Sequence, residues 1–457
     1  MPHPPPKPPS NHEPPPLSSR RNRNHHRHPP RLTLTTTPAT ATPTPDPITT
    51  TLNHSAHPLR TPEPGGNTQD LHPLDQAIGD ARIVGLGEAT HGSHDFFALK
   101  ARVFRHLVEK QGFRTFALET PWSTGRRLDA YVVHGQGNPE QIFREEFQRD
   151  YSWWNNTDYL ALVKWMRTYN IHHPDDPVRF LGDDIAWTGP EVYDEVERYV
   201  AEHRPELSTR LAELYAGLRP TRQTGAYIEE YLATPYGIRK ERAERTAQAL
   251  KLIKEKPSGA GYDMAVQNAT AIDRTAGQYA FEFERGQPEI SAGMGYRDEA
   301  MAANVAWWAQ HTGTKILLSA HDAHIGYVPV DPVNYPKMQG AFLRDRLGDG
   351  YVSVGVTFGR GSFMATDADG TAVRRWTVGP PEPGSNEATL DRVRYRNYVL
   401  DLRTVRAPAR EWLRTARPTR SIGTAYPDEG PSDVALARAH DVLIHLHRVT
   451  AARLRAE

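Results

Sequence analysis

A carboxylate and two imidazoles lie within seven residues of this sequence, in the segment VGLGEATHGSHDFF. They belong to Glu88, His91 and His94. The spacing Glu88-x-x-His91 brings a carboxylate next to an imidazole across a tight turn, where it fixes the tautomer and raises the basicity of the ring. Such an imidazole can take a proton from water, so the pair indicates general-base chemistry. A helix N-terminal charge for Glu88 and a loop position for His91 are the structural alternatives.

Further ionisable residues follow other apolar runs that are typical of buried strands. They are Glu119 after FRTFAL, Asp183 and Asp184 after FLG, and His321 and His324 in KILLSAHDAH. In open parallel sheets, ligands bind beyond the carboxyl ends of the strands, so these groups are expected to meet at one edge. A chain does not need polar groups after every buried strand in order to fold. The coincidence therefore predicts a functional site at that edge.

One lysine lies on the apolar face of the helix predicted after His91. Lys100 stands four residues after Phe96 and three before Val103. A lysine in that position is costly unless it meets a carboxylate or faces a polar crevice. Snorkelling at the edge of the apolar face is the alternative.

Tryptophans are frequent near the same predicted edge, at Trp122, Trp153, Trp154 and Trp187. Core packing explains most tryptophans in proteins, but aromatic rings at strand ends also line pockets for large, mostly apolar ligands. Trp122 directly follows the second predicted strand, and we expect it to contact the substrate.

Several established motifs are missing, which narrows the chemistry. The sequence has no G-x-S-x-G elbow and no Walker loop. GLGEATHG lacks the third glycine of a dinucleotide fingerprint. His321-x-x-His324 could contribute to a metal site with Glu88, His91 or Glu119, but it lacks the glutamate of H-E-x-x-H. We expect no cofactor, with a divalent metal at Glu88, His91, Glu119 and His321 as the alternative.

The elements that would position these groups can be read from the apolar runs. A helical pattern over 94–112, which Gly112 is expected to end, lies between two strands and completes a β-α-β unit. The fold class is therefore α/β, with a mainly parallel central sheet flanked by helices. The predicted buried strands are at residues 81–88, 113–119, 178–185, 314–324 and 351–359.

The chain divides into a tail and one large domain. Residues 1–47 are rich in Pro, Thr, His and Arg and cannot bury enough apolar surface to offset the ordering entropy, which predicts a disordered tail. Residues 48–457 are expected to form a single domain. Within it, residues 189–300 are charged, helical in pattern and poor in strand signals, and they predict a helical cap or insertion over the sheet.

Composition excludes several classes of protein. The 457 residues include 55 acidic and 55 basic ones, so no global charge favours nucleic acid or an anionic membrane as a partner. The chain has no cysteine, which excludes disulfides, thiolate zinc sites and a cysteine nucleophile. No run of about 18 apolar residues and no apolar leader is evident. We expect a cytoplasmic protein, and the sequence does not indicate an oligomeric state.

Five segments, in this order, resemble the erythromycin esterase family. They are VGLGEATHGSHDFFALKARVFRHLVEKQGFRTFALE, DAYVVHGQG, FLGDDI, GYRDEAMAANVAWW and LLSAHDAHIGY. The resemblance runs from about residue 70 to at least residue 365. Members of this family hydrolyse the lactone ester of macrolide antibiotics or other esters. The family is similar in its core to haem-binding lipoproteins and metal-dependent proteases.

The resemblance assigns roles to the residues at the predicted edge. It implies that His91 is the general base that activates water and that Glu88 supports it. Glu119 and the pair His321 and His324 would complete the site.

The resemblance also implies two substrate-binding residues and one departure. Asp184 is the matching aspartate of FLGDDI, and Arg297 matches a frequently basic position in GYRDEAM. Resistance esterases of the family carry an arginine where this chain has Lys100. Lysine keeps the positive charge but loses the planar fork for bidentate contact, so an identical substrate does not follow.

The function that we expect is hydrolysis of an ester or lactone without a covalent intermediate. His91 would deprotonate water, and Lys100, His321 or His324 would stabilise the oxyanion. The substrate is a small molecule, either a macrolide in antibiotic resistance or an ester of secondary metabolism. Alternatives are a metal-dependent hydrolase with the same residues, a biosynthetic enzyme of the same family acting on a non-macrolide metabolite, and a haem-binding protein. The haem-binding relatives are anchored through a lipidated cysteine that this chain lacks.

Overall fold

Eleven strands are described in the computed structural model, which covers residues 46–257, 259–370, 372–427, 430 and 432–456. All of the predicted tail except Asp46 and Pro47 lies outside the described residues. The strands are β1 (His57–Pro58), β2 (Ile83–Leu86), β3 (Phe113–Pro121), β4 (Arg179–Asp184), β5 (Lys315–Ser319), β6 (Tyr351–Thr366), β7 (Val373–Val378), β8 (Asn397–Asp401), β9 (Arg417–Thr419), β10 (Ser432–Val434) and β11 (Val442–Val449).

Nine of these strands form one sheet in the order β1-β8-β11-β6-β2-β5-β3-β4, with β7 paired to β6. The six neighbours from β11 to β4 are parallel, whereas β1, β7 and β8 join by antiparallel pairs. The α/β class with a mainly parallel sheet is thus confirmed, and each predicted strand overlaps an observed one. The sequence did not predict β11, because His445 and His447 interrupt its apolar run.

The described helices include none that is long and apolar enough to cross a membrane. They are α1 (Pro47–Ser55), α2 (His72–Ile78), α3 (His94–Lys110), α4 (Trp122–His134), α5 (Pro139–Glu146), α6 (Thr157–His172), α7 (Pro190–His203), α8 (Ser208–Tyr215), α9 (Thr224–Ala233), α10 (Tyr236–Lys254), α11 (Tyr262–Tyr279), α12 (Gln287–Thr312), α13 (Asp322–Ile325), α14 (Gln339–Leu347), α15 (Asn386–Leu390), α16 (Ala409–Leu413) and α17 (Leu436–Ala439).

The two faces of the sheet belong to different hydrophobic clusters, because successive strand residues point to opposite sides. Phe116 and Phe180 pack in the cluster that contains the apolar residues of α3 and α6. Ala117 and Leu181, one residue further along the same strands, pack in the cluster that contains those of α7, α11 and α12. Strands buried on both faces read as continuous apolar runs, which is why the sequence pattern located them.

The segment predicted as a helical cap or insertion is helical in the structure. Helices α7 to α11 lie within it, and α12 begins in it and ends at Thr312. No strand is described between residues 189 and 300, where only Ser258 is left out. α12 packs against the sheet and carries Arg297 towards the carboxyl ends of the strands. This segment therefore covers one face of the sheet and also supplies a residue of the predicted site.

The close approach of α4 to β4 depends on two glycines. A Cβ on Gly125 of α4 would stand 2.0 Å from the backbone nitrogen of Gly182, and a Cβ on Gly182 would stand 2.1 Å from the carbonyl oxygen of Pro121. Both neighbours are backbone atoms, which cannot move aside without displacing an element.

We expect Gly182→Ala to lower the free energy of unfolding by about 3 kcal/mol, because the new methyl group overlaps backbone at the edge of the sheet. Chemical denaturation followed by circular dichroism measures the change. Gly237→Ala is the control, since nothing lies within 4 Å of its Cβ in α10. That variant should gain roughly 0.5–1 kcal/mol from helix propensity. Equal stability of the two variants would contradict the close packing of β4 against the end of β3 at Pro121.

Candidate active site

Glu88 and His91 form a buried hydrogen-bonded pair just beyond the carboxyl end of β2. The Nδ1 atom of His91 lies 2.7 Å from Oε1 of Glu88, and Glu88 has 0% exposed surface. A carboxylate accepts hydrogen bonds, so the proton of the neutral ring resides on Nδ1 and the lone pair on Nε2. Among the described residues, no protein group forms a hydrogen bond with that Nε2. The ring is therefore oriented and free to accept a proton at Nε2.

Lys100 of α3 holds the other oxygen of the same carboxylate. Its Nζ donates to Oε2 of Glu88 at 2.6 Å and to the carbonyl oxygen of Ala320 at 3.1 Å. Burial by itself would raise the pKa of Glu88, but the ammonium of Lys100 and the hydrogen bond from His91 outweigh it and lower that pKa. The Lys100 side chain is 0% exposed, so it does not snorkel to the surface. Glu88 is therefore the carboxylate partner that a buried lysine at this position of α3 requires.

Two aromatic contacts fix the plane of the His91 ring. Trp154 meets it edge-on, with ring centroids 5.0 Å apart at 88°, and donates its Nε1 proton to the carbonyl oxygen of Glu119 at 2.7 Å. The ring of His321 lies 5.0 Å away on another side. The sequence placed Trp154 near the predicted edge but did not assign it this contact.

Glu119 connects the His91 pair to a second group of charges. Its Oε2 accepts the backbone N–H of His321 at 3.2 Å, while Oε1 lies 3.4 Å from Nη2 of Arg297 and 3.4 Å from Nε2 of His324. Burial would raise the pKa of Glu119, but the positive charges of His324 and Arg297 lower it well below its usual range. Glu119 therefore remains a carboxylate and is a poor candidate for the general base.

His321 is neutral and fully engaged. Its Nδ1 accepts the backbone N–H of Ala323, capping α13, so its proton lies on Nε2, which donates to the carbonyl oxygen of Ile422 at 3.2 Å. Burial, together with the nearby His91, lowers the pKa of His321 to about 3. Its only ring N–H already donates a hydrogen bond to Ile422, so the geometry does not support His321 as a donor to the oxyanion.

His324 is charged, in contrast to His321. Its Nδ1 donates to Oδ1 of Asp298 at 2.8 Å, and its Nε2 faces Glu119. Burial would lower the pKa of His324, but Asp298 and Glu119 raise it to about 9. Asp298 was missed at the sequence level, although it directly follows Arg297 in the segment GYRDEAM.

Arg297 forms a bidentate ion pair with Asp184, as the planar guanidinium permits. The distances are 2.9 Å from Nε to Oδ1 and 2.5 Å from Nη2 to Oδ2. Tyr151 donates its hydroxyl proton to the same carboxylate at 2.7 Å. Burial would raise the pKa of Asp184, but Arg297 and Tyr151 lower it. The two predicted substrate-binding residues thus meet each other at the site.

Asp183 joins this cluster through Gln339, whereas Trp122 lies apart from it. Asp183 accepts from the side-chain amide of Gln339 at 2.6 Å, and burial raises its pKa well above the usual value. Trp122 packs edge-on against Trp307 and Trp308, and its Nε1 donates to Asn268 at 2.9 Å. This position in the hydrophobic core corrects the prediction that Trp122 contacts the substrate. A tryptophan at the first position of α4 points back into the core.

The residues of the alternative metal site do not fit a metal ion. Both oxygens of Glu88 and both of Glu119 are taken by protein donors, and both ring nitrogens of His321 are occupied. Only Nε2 of His91 stays free in that set. Within the part of the chain that the structure describes, no group of three or more His, Asp or Glu side chains is placed to hold an ion.

The fold and the site define an α/β enzyme whose ionisable groups meet beyond the carboxyl ends of a parallel sheet. The profile described as Erythromycin esterase matches residues 108–449, about three quarters of the chain. The chain therefore belongs to the erythromycin esterase family and is a hydrolase. The matched range begins downstream of Glu88, His91 and Lys100. The roles of these three residues accordingly depend on the geometry described above.

Three similar proteins set the range of likeness. An Escherichia coli protein named Erythromycin esterase type II is 25% identical over 378 residues, which cover 76% of this chain and 88% of that protein. The structure of a succinoglycan biosynthesis protein is 28% identical with a TM-score of 0.79, covering 89% of this chain and 98% of the other. A mutant of the erythromycin esterase EreC in its open conformation is 15% identical, with a TM-score of 0.64 and coverage of 84% and 95%. The last likeness shows the fold alone.

We expect Lys100→Met to lower the free energy of unfolding by about 3–5 kcal/mol, because it leaves the buried Glu88 carboxylate without its cation. The double variant Lys100→Met, Glu88→Leu removes both charges and should recover most of that loss. Chemical denaturation of the wild type, each single variant and the double variant measures the coupling free energy between the two charges.

Lys164→Met is the control, since Lys164 pairs with Glu140 at the surface and is 48% exposed. Its removal should change the free energy of unfolding by less than about 1 kcal/mol. A double variant that is no more stable than Lys100→Met would contradict a charge pair at this position.

Proposed function

We propose that this chain hydrolyses a carboxylic ester or lactone by direct attack of water, with His91 as the general base. One observation carries the proposal. Nδ1 of His91 is bound to Glu88 at 2.7 Å, Glu88 is in turn held by Lys100 at 2.6 Å, and no described residue is hydrogen-bonded to the basic Nε2. A water bound at Nε2 would lose its proton to His91 as its oxygen attacks the ester carbonyl.

A covalent acyl-enzyme has little support in the surroundings of His91. Ser93 donates its hydroxyl proton to the carbonyl oxygen of Thr450 at 3.3 Å, and Ser319 shares a hydrogen bond with Tyr159 at 2.9 Å. Neither described serine is hydrogen-bonded to the His91 imidazole, as an activated nucleophile would be. Water is therefore the nucleophile in this proposal.

The positive charge that stabilises the tetrahedral oxyanion comes from the charged groups around Glu119. The sequence predicted three possible donors to the oxyanion. Two of them already donate hydrogen bonds to protein groups, Lys100 to Glu88 and His321 to the carbonyl oxygen of Ile422. His324 remains as the donor to the oxyanion, and Arg297 adds positive charge because it also contacts Glu119. Preorganised donors of this kind supply roughly 3 kcal/mol each to an acyl-transfer transition state.

Membership of the family supports a small-molecule ester or lactone as the substrate, and two candidate classes of ester follow from the comparisons. Membership supports a macrolide-like lactone, and the Escherichia coli relative carries the name of such an esterase. The similarity to a succinoglycan biosynthesis protein supports a second candidate, an ester in a biosynthetic pathway. We infer a small-molecule ester as the ligand, with no nucleic acid and no membrane as partner.

The first test is mass spectrometry of macrolides of different ring size, acylated saccharides and simple esters after incubation with the protein. We expect one water to be added to the substrate, and His91→Ala to reduce this rate by about 100-fold or more. His94→Ala is the matched control. That histidine is three residues away and has its own carboxylate partners, Asp158 and Glu63.

Single-turnover hydrolysis in oxygen-18 water separates the two chemical routes. Direct attack puts one heavy oxygen into the acid product and leaves the protein mass unchanged. Trapping of an acylated protein by rapid quench would contradict the direct mechanism. Full activity of His91→Ala would contradict the role of His91.

Removal of metal ions tests the metal-dependent alternative. We expect dialysis against a strong chelator to leave the hydrolysis rate unchanged, because the carboxylates and His321 are bound to protein donors. Loss of activity with the chelator and its return with a divalent cation would favour the metal-dependent mechanism.

A further inference from the structure

The site contains two carboxylate–imidazole pairs whose surroundings differ. His91 has one carboxylate on Nδ1, and within the described part of the chain no residue is hydrogen-bonded to its Nε2. His324 has Asp298 on Nδ1 at 2.8 Å and Glu119 near Nε2 at 3.4 Å. One pair therefore presents a lone pair to the site, and the other presents a proton.

The contact between His324 and Glu119 is long for a hydrogen bond between charged groups, which is typically 2.7–2.9 Å. At 3.4 Å the two groups form an ion pair and no hydrogen bond, so Glu119 does not take up the Nε2 proton. Nη1 of Arg297 lies 3.5 Å from the same nitrogen and opposes its charge, but it is outweighed by the two carboxylates. The Nε2 proton is thus available to a better acceptor.

Asp298 is itself held in place from α14. Its Oδ1 accepts the backbone N–H of Gln339 at 2.7 Å, and the side-chain amide of Gln339 is bound to Asp183 at 2.6 Å. The next residue, Gly340, is so close to α13 that a Cβ on it would stand 2.0 Å from the carbonyl oxygen of Ile325. Asp298, Gln339 and Asp183 are each 0% exposed. The hydrogen bond from His324 to Asp298 is therefore tied to the core.

We propose that His324 donates its Nε2 proton to the leaving oxygen of the ester, and that Asp298 is the positioning residue that orients His324 for this step. The inference rests on the proposed function and adds a second role to it. Together, the two pairs place a base and an acid around Glu119, which lies 3.4 Å from Nε2 of His324 and accepts the backbone N–H of His321, whose ring contacts that of His91.

Hydrolysis requires two proton transfers, one from water to His91 and one from His324 to the leaving oxygen. Water gives one proton to His91, and its oxygen forms a bond to the carbonyl carbon. The bond between that carbon and the alkoxy oxygen then breaks, and the alkoxy oxygen takes the proton from His324. His91 releases its proton to solvent and His324 regains one from solvent. The carboxylic acid so formed loses its own proton to solvent, so the net products are a carboxylate, an alcohol and one proton, and a lactone gives the two groups on one chain.

The pH dependence has a defined direction. His324 must be protonated to donate, and its pKa is raised to about 9, so the hydrolysis rate should fall as pH rises through about 9. Asp298→Asn removes a carboxylate that raises this pKa, so the alkaline limb should move to lower pH. The ionisable groups that face His324 are Asp298 and Arg297 of α12, Glu119 of β3, Asp183 of β4, His321 at the start of α13 and Tyr335 before α14.

The decisive experiment compares two esters with the same acyl group, one with a nitrophenyl and one with an alkyl leaving group. A nitrophenolate leaves without a proton, whereas an alkoxide requires one. We expect Asp298→Asn and His324→Gln to lower kcat/KM for the alkyl ester about 20-fold more than for the nitrophenyl ester, because loss of positive charge near the oxyanion slows both reactions and loss of the acid slows only the first. Glu299→Gln is the matched control, because this neighbouring carboxylate of α12 is 58% exposed and pairs with Arg346.

Each outcome decides the proposal. Equal losses on both esters in the folded variants would overturn the acid role of His324 while leaving hydrolysis by His91 intact. Should Asp298→Asn not fold, His324→Gln gives the same comparison, since glutamine keeps a donor towards Asp298. An alkaline limb that stays in place in Asp298→Asn would overturn the positioning role. If the wild type hydrolyses neither ester nor any other in the panel, both the proposed function and this inference fail.

Discussion

The ion pair between Lys100 and Glu88 is the interaction on which the rest of the site depends. A carboxylate with no exposed surface would take up a proton if it had no cation beside it. With Nζ of Lys100 at 2.6 Å it stays ionised, and an ionised Glu88 is what fixes the proton of His91 on Nδ1. The orientation of His91 therefore depends on a lysine on the buried face of α3, which acts through the side chain of Glu88. A lysine suffices there because its role is to hold one oxygen, for which no planar fork is needed.

Glu119 has the corresponding position on the other side of the site. Its two oxygens are shared among the backbone of His321, Arg297 and His324, so one carboxylate of β3 sets the spacing of three groups from α12 and the start of α13. The imidazoles around it differ in charge because their partners differ. His321 caps a helix and binds a carbonyl oxygen, which suits a neutral ring, whereas His324 lies between two carboxylates, which suits a charged one. An acid and a base can coexist at one pH only when such surroundings separate their pKa values.

Segments far along the chain hold the loop that carries His91. The backbone N–H of Ile422 donates to the carbonyl oxygen of Ala89, and that of Ala452 donates to the carbonyl oxygen of Gly92, at 2.8 Å and 2.9 Å. A backbone hydrogen bond from His94 to Thr450 continues this contact. The loop is thus bound on both sides of His91 by residues more than 300 positions away. Such contacts explain how a histidine in a loop can be held to one orientation without being part of a strand or helix.

The sequence by itself determined the parallel core and the edge at which the site lies, because strands buried on both faces are continuous apolar runs and Glu88, Glu119 and His321 directly follow or end them. It also identified Lys100 as a residue in need of a partner, since a lysine on an apolar helix face has few stable environments. Only the tertiary structure decided which partner that was, which histidine is charged, and that Trp122 packs in the core. Those outcomes depend on atoms that approach each other across long sequence separations, such as Asp298 with His324, and no local pattern records such distances.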